Sequence, residues 1–136
     1  MDYIQQIKLE FCTVALRHDG IIENRFLVEE PYEIDGHHLQ EIADTMTILS
    51  KGNKRAVLSV AGLYGSMTPE ARKVDINDAG GYTMALAIVI RELHQRLLAN
   101  FYFKLKQVNY PVKTFKNEDD AVEWLQHQMR LNQMVG

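Results

Sequence analysis

The residues of this 136-residue chain that could do chemistry are five histidines, one cysteine, and a serine and threonine lying close to two glycines. His37 and His38 are adjacent, so on a helix they leave the axis about 100° apart and are not expected to face one ion together. His18, His94 and His127 fall in separate segments, and no CxxC or HExxH spacing occurs. Asp75-Ile76-Asn77-Asp78 has the flavour of a calcium loop, but the twelfth position is Leu86, where such a loop needs a bidentate Glu. The sequence therefore predicts no metal and no cofactor. For covalent catalysis a nucleophile needs a base and an orienting group. Cys12 lies inside a strand pattern and reads as a small buried apolar residue. Ser66 follows Gly62-Leu63-Tyr64-Gly65, which is not the G-x-S-x-G elbow, and no base stands at a telling distance. The expectation is a protein that is not an enzyme.

Two weaker constellations remain. Gly62 and Gly65 precede a helix start, where free amides favour anions, and Arg72 and Lys73 follow. Tyr64, Gly65, Ser66, Thr68 and Arg72 therefore form a candidate phosphorylation or anion-binding loop, against the plainer reading of a tight turn with solvated basic residues. Further on, Leu97, Leu98, Phe101, Tyr102 and Phe103 crowd one helical segment. Most should be core. Leu97, Phe101 and Tyr102 are the candidates for a pocket wall or a dimer contact, because the apolar residues cover too many faces for one simple amphipathic helix.

The elements that must position these residues alternate. Lys8 to Arg17 reads as a strand, His18-Asp19-Gly20 as a turn, and Ile21 to Val28 as the second arm of a hairpin. Asp35 is placed to cap a helix through Ser50, with Leu39, Ile42, Ala43, Met46 and Leu49 as its buried stripe and Gly52 at the stop. Arg55 to Val60 is a strand, and Ala61 to Ser66 a loop. Thr68 caps a short helix opened by Pro69 and Glu70. Tyr82 to Ile90 is a continuous apolar strand, central in the sheet. A helix over Arg91 to Lys104, a strand over Val112 to Phe115 and a helix capped by Asn117 complete the order. This predicts one α/β domain over 1–136: a mixed, mostly parallel sheet of about five strands with an N-terminal hairpin, covered by about four helices.

Composition agrees. The chain is 46% apolar and 24% charged, with 15 basic against 18 acidic residues. A net charge of -3 does not favour nucleic acid. The longest apolar run, Met84 to Ile90, is far short of the roughly twenty residues of a spanning helix. The first ten residues lack a basic-then-apolar leader pattern, and one cysteine cannot bridge internally. A cytoplasmic protein is expected.

Three stretches carry a family likeness over about residues 8 to 127. They are Thr68-Pro69-Glu70-Ala71-Arg72; Ala85-Leu86-Ala87-Ile88-Val89 followed by Gln95 to Phe101; and Pro111 to Phe115 followed by Asp120-Ala121-Val122-Glu123-Trp124-Leu125. In that order they resemble the small bacterial proteins of the SpoIIAA-like group, related to STAS and SEC14-type (CRAL-TRIO-like) domains. The resemblance implies a mixed sheet with helices. It also implies a non-enzymatic regulatory or protein-interaction domain, often switched by phosphorylation beside the helix after the third strand. The alternative it implies is a binder of a small apolar or anionic, lipid-like ligand. Where antagonists of this group have Asp-Ser-Ser/Thr-Gly, this chain has Leu63-Tyr64-Gly65-Ser66-Met67-Thr68, so Ser66 and Thr68 are the positions carried over.

Overall fold

The computed structural model describes residues 3–28, 30–62, 65–72, 82–106 and 108–135, the side chains of residues 72, 134 and 135 aside. Its elements run β1 (Tyr3–Lys8), β2 (Cys12–Arg17), β3 (Ile22–Phe26), β4 (Tyr32–Ile34), α1 (Gly36–Ser50), β5 (Arg55–Val60), β6 (Gly65–Met67), α2 (Pro69–Arg72), β7 (Thr83–Val89), α3 (Leu93–Lys106), β8 (Val112–Phe115) and α4 (Glu118–Val135). The main sheet has six strands in the order β1-β2-β3-β5-β7-β8. The first three are antiparallel neighbours, and every pairing from β3 onward is parallel. The fold is thus the expected mixed α/β sheet with an antiparallel N-terminal hairpin and four helices.

Three local expectations are corrected. The apolar alternation over Lys8 to Arg17 is broken by a turn in which the Leu9 N–H donates to the Cys12 carbonyl at 2.8 Å, giving two strands where one was read. Gly65 and Ser66, read as the end of a loop, lie in β6, which pairs in parallel with the equally short β4 as a second sheet. The third concerns α3, whose apolar residues were assigned mostly to the core, yet no α3 residue is buried.

The sheet has two covered faces. On one, Ala56, Leu58, Ala85, Ala87 and Val89 pack with Ile21 against Ala121 and Leu125 of α4. On the other, Val14, Leu16, Ile22 and Val57 pack against Ile42 and Leu49 of α1. Strand alternation sets this division, since successive side chains point to opposite faces. In β8, Phe115 faces Trp124 of α4 with ring centroids 5.7 Å apart. Its neighbour Thr114 faces the other way and donates to the Asn100 Oδ1 on α3 at 3.0 Å. Helices α1 and α3 therefore share one face and α4 holds the other.

The caps follow the sequence closely. Asp35 accepts from the Gly36 N–H at 2.9 Å, and Asn117 accepts from the Asp120 N–H at 3.0 Å. Lys51 ends α1 in the left-handed region at φ 53°, followed by Gly52 at φ 79°.

Candidate functional site

Asp35 joins two helix starts. Its carboxylate caps α1 and also accepts from the Thr68 hydroxyl at 2.9 Å. Thr68 Oγ1 in turn accepts from the Ala71 N–H at 3.1 Å, so Thr68 caps α2 as the sequence predicts. The Thr68 N–H donates to the Ile34 carbonyl at 2.9 Å, extending the β4–β6 pairing into the caps. The amide of Gly36, followed by the Thr68 hydroxyl, holds the Asp35 carboxyl below its ordinary range. A phosphate on Thr68 would displace this bond and set its charge against Asp35. Of the two hydroxyls singled out, Ser66 is the exposed one, and its Oγ reaches the Tyr32 carbonyl at 3.5 Å. That partner is a backbone carbonyl, which cannot take up the hydroxyl proton, so it does not activate Ser66 as a nucleophile.

The two glycines have a structural occupation. A Cβ at Gly62 would stand 2.4 Å from the Tyr32 Oη, and one at Gly65 would stand 2.5 Å from the same atom. The backbone here closes over the Tyr32 ring, which is itself stacked on Phe11 and Phe26 at centroid distances of 5.1 and 5.9 Å. Burial raises the Tyr32 phenol above its ordinary value. Both glycines thus have a packing role that the sequence did not reveal, that of admitting the Tyr32 ring. Tyr64, Lys73 and the calcium-like Asp75 to Asp78 lie outside the described residues, as does the side chain of Arg72.

The histidine pair is closer than a rigid-helix argument allows. His37, His38 and Glu10 offer ligand atoms within 4.8 Å of one another, and the two imidazoles lie 3.9 Å apart between centroids. Bond directions at Cα differ by about 100°, but in the first turn the rings are free to swing together. His38 is fixed by the capping box. Its Nδ1 accepts from the Asp35 N–H at 2.9 Å, and its Nε2 lies 2.9 Å from the Glu10 carboxylate. With Nδ1 accepting, the ring proton sits on Nε2 and points at Glu10, so no lone pair faces the cluster from His38. The geometry makes this an ordered polar latch between the β1–β2 turn and α1.

A second polar cluster lies on the α4 face of the hairpin. Glu23, only 2% exposed, accepts from the Tyr3 hydroxyl at 2.6 Å and from Arg25, and Arg17 approaches it at 3.5 Å. Arg25 also pairs with Glu118 in the first turn of α4. Burial alone would raise the Glu23 carboxyl, but the hydrogen bonds from Arg25 and Tyr3 outweigh it, and the net shift is downward. This network ties β1 to α4. Cys12 is buried, which pushes its thiol up to about 11.

The most unusual surface is α3. Leu93, Leu97, Leu98, Phe101 and Leu105 are 56% to 68% exposed. The residues half-buried toward the sheet are Gln95, Arg96, Ala99, Tyr102, Phe103 and Lys106. The helix is amphipathic with its apolar side to solvent. Of the three candidates named from sequence, Leu97 and Phe101 belong to this outer face, while Tyr102 lies inward, edge-on to Phe103 at 5.1 Å. An open groove of about 380 Å³ runs between α3 and β8, lined by Asn100, Phe103, Lys104, Val108, Tyr110 and Val112, of which only Phe103 belonged to the aromatic stripe noted in the sequence. Periodicity reveals that a helix has an apolar stripe but not which way it faces, so the sequence offered Leu97 and Phe101 as contact candidates without showing that the whole stripe turns outward.

Among the described residues no helix is long and apolar enough to cross a membrane. No curated protein and no solved structure matches the chain. Residues 15–129, spanning β3 to β8 in full together with half of β2 and most of α4, match a family described as Domain of unknown function (DUF7793), and the chain belongs to that family.

Proposed function

We propose that this chain is a non-catalytic regulatory or protein-interaction domain that engages a protein through the outer face of α3. The observation that carries the reading is the set Leu93, Leu97, Leu98, Phe101 and Leu105, presented to solvent by a helix with no buried residue. Contiguous apolar patches of this kind on a small domain mark interaction surfaces. The resemblance to SpoIIAA-like and STAS proteins, which act by binding other proteins, is consistent with this role. A buried lone cysteine suits a reducing compartment such as the cytoplasm.

The test is a photo-reactive residue placed at Phe101 in the full chain, expressed in its own host, with the same residue at exposed Gln126 on α4 as control. A protein crosslinked from position 101 and not from 126 is the expected result. No crosslinked protein from position 101 would overturn the reading.

The α3–β8 groove supports a second reading, a site for a small amphiphile with an anionic end near Lys104. Mass that accompanies the folded chain in native mass spectrometry and leaves on denaturation would favour it. A bare chain would count against it.

A further inference from the structure

We infer that the protein seated on α3 is an acidic one, whose docking surface sets apolar side chains around a carboxylate that meets Lys104. The inference rests on the interaction reading above and deepens it.

Charge is spread unevenly along this chain. Residues 91–116, which hold α3 and β8, contain six basic residues and one acidic residue, a formal charge of +5. The remaining residues carry -8. Among the described residues no ion pair involves this basic segment. Arg96 and Lys106 are half-buried on the sheet side of α3, where Arg96 donates to the Ile90 and Arg91 carbonyls and Lys106 lies over the Tyr102 ring. Arg91, Lys104, Lys113 and Lys116 are exposed.

Of these, Lys104 stands inside the apolar stripe. Residues three, four and seven apart share a helix face, so Lys104 adjoins Phe101, Asn100 and Leu97. His94 lies on the same exposed side, beside Leu97 and Leu98. The segment's one acid, Glu92, precedes the helix. The outer face thus offers a broad apolar contact with an ammonium set in it and no carboxylate. The groove against β8 continues this surface, because Asn100 and Lys104 also line the groove.

Helix stability does not account for the pattern. The helix dipole favours cations at the end of α3, which suits Lys104 and Lys106, but it favours anions at the start. The first turn of α3 holds no acid, His94 stands there instead, and Arg91 lies just ahead. An acidic partner supplies the missing charge at both ends. Opposite charges steer the encounter and fix the register, while the apolar contact holds the complex. A second copy offering the same face would bring its own Lys104 and no carboxylate on the stripe. The free edge at β1 is at the far side of the sheet from β8, so pairing there leaves α3 uncovered.

The experiment uses the full chain in its own host with the photo-reactive residue at position 101, and maps the captured segment by peptide mass spectrometry. That segment is expected to carry Asp or Glu within about one helical turn of its apolar residues. The captured protein, once purified, should bind the full chain more weakly as salt rises. Lys104→Glu should weaken this binding about tenfold, and changing the partner's facing carboxylate to Lys should restore it. Phe101→Glu should abolish binding with unchanged circular dichroism, since Phe101 faces solvent.

A captured segment without carboxylates overturns the inference, as does an affinity indifferent to both salt and Lys104→Glu. Capture of this chain's own α3 overturns it too. Each of these leaves the interaction reading standing. No protein captured at position 101, with binding of the chain to anionic phosphatidylglycerol vesicles, would sink both.

Discussion

Replacing Gly62 by alanine sets a methyl 2.4 Å from the Tyr32 Oη, with the next contacts at 3.3 Å. At Gly65 the methyl would meet both the Oη at 2.5 Å and the Cζ at 2.6 Å. Each change should cost about 1–3 kcal/mol by overpacking a stacked ring. Tyr32→Phe removes the Oη alone. It should therefore relieve much of the Gly62→Ala penalty and little of the Gly65→Ala penalty, a difference that denaturant melts of the four variants would show. Glu23 gives a second test at this scale. Glu23→Gln should cost about 3–5 kcal/mol, because it strips a buried charge from Arg17 and Arg25. The folded carboxyl is held below its ordinary value, so the unfolded chain takes up the proton first as pH falls. The stabilisation is full above the ordinary carboxyl range, fades as pH falls from there through the lowered value, and should flatten the acid limb of the melt when Gln replaces Glu23.

Among the elements, the small β4–β6 sheet is where a modification would be felt. Ser66 stands in register with Glu33, and both are exposed. A negative charge at 66 faces a carboxylate across the pair, and like charges opposite one another destabilise. Ser66→Asp should lower stability by about 0.5–1 kcal/mol at low salt, and Glu33→Gln should recover most of it. Retention of full stability by Ser66→Asp would show that the strands tolerate the charge. The sequence made some elements plain and hid others for physical reasons. Asp35, Thr68 and Asn117 were legible as caps because a cap needs one side chain and a local amide. β4 and β6 were not, because three-residue strands leave no period to read and their pairing joins residues more than thirty apart. The His37–His38–Glu10 cluster was missed because Glu10 reaches α1 only through the turn between β1 and β2.

For the molecule as a whole, the two sides of the sheet predict opposite responses to the same kind of change. Leu125 is fully buried between α4 and the sheet, and Leu125→Ala should cost about 2–5 kcal/mol. Phe101 faces solvent, and Phe101→Ser should leave the stability of the isolated chain within about 0.5 kcal/mol while raising its solubility. Chemical denaturation at high dilution distinguishes the two. A large loss from Phe101→Ser at that dilution would mean that α3 is integral to the fold of one chain. The architecture, a six-stranded mixed sheet with α1 and α3 on one face and α4 on the other, was largely readable from alternating strands and helices. The outward turn of the α3 stripe was only partly readable, through Leu97 and Phe101, because orientation of a stripe is settled only when all neighbouring elements are in place.

A helix with no buried residue borrows little from the core. Fourteen residues alone are marginally helical in water, so α3 in a lone chain stands near the low end of the stability scale. Its amides should exchange with solvent deuterium early, through local opening, while those of β5 and β7 wait for global unfolding. Any occupant of the outer face stabilises the closed helix by mass action, so α3 protection should rise when a protein captured at position 101 is added, while the sheet's stays fixed. The ordering of this one segment and the recognition of its partner would then be a single thermodynamic event.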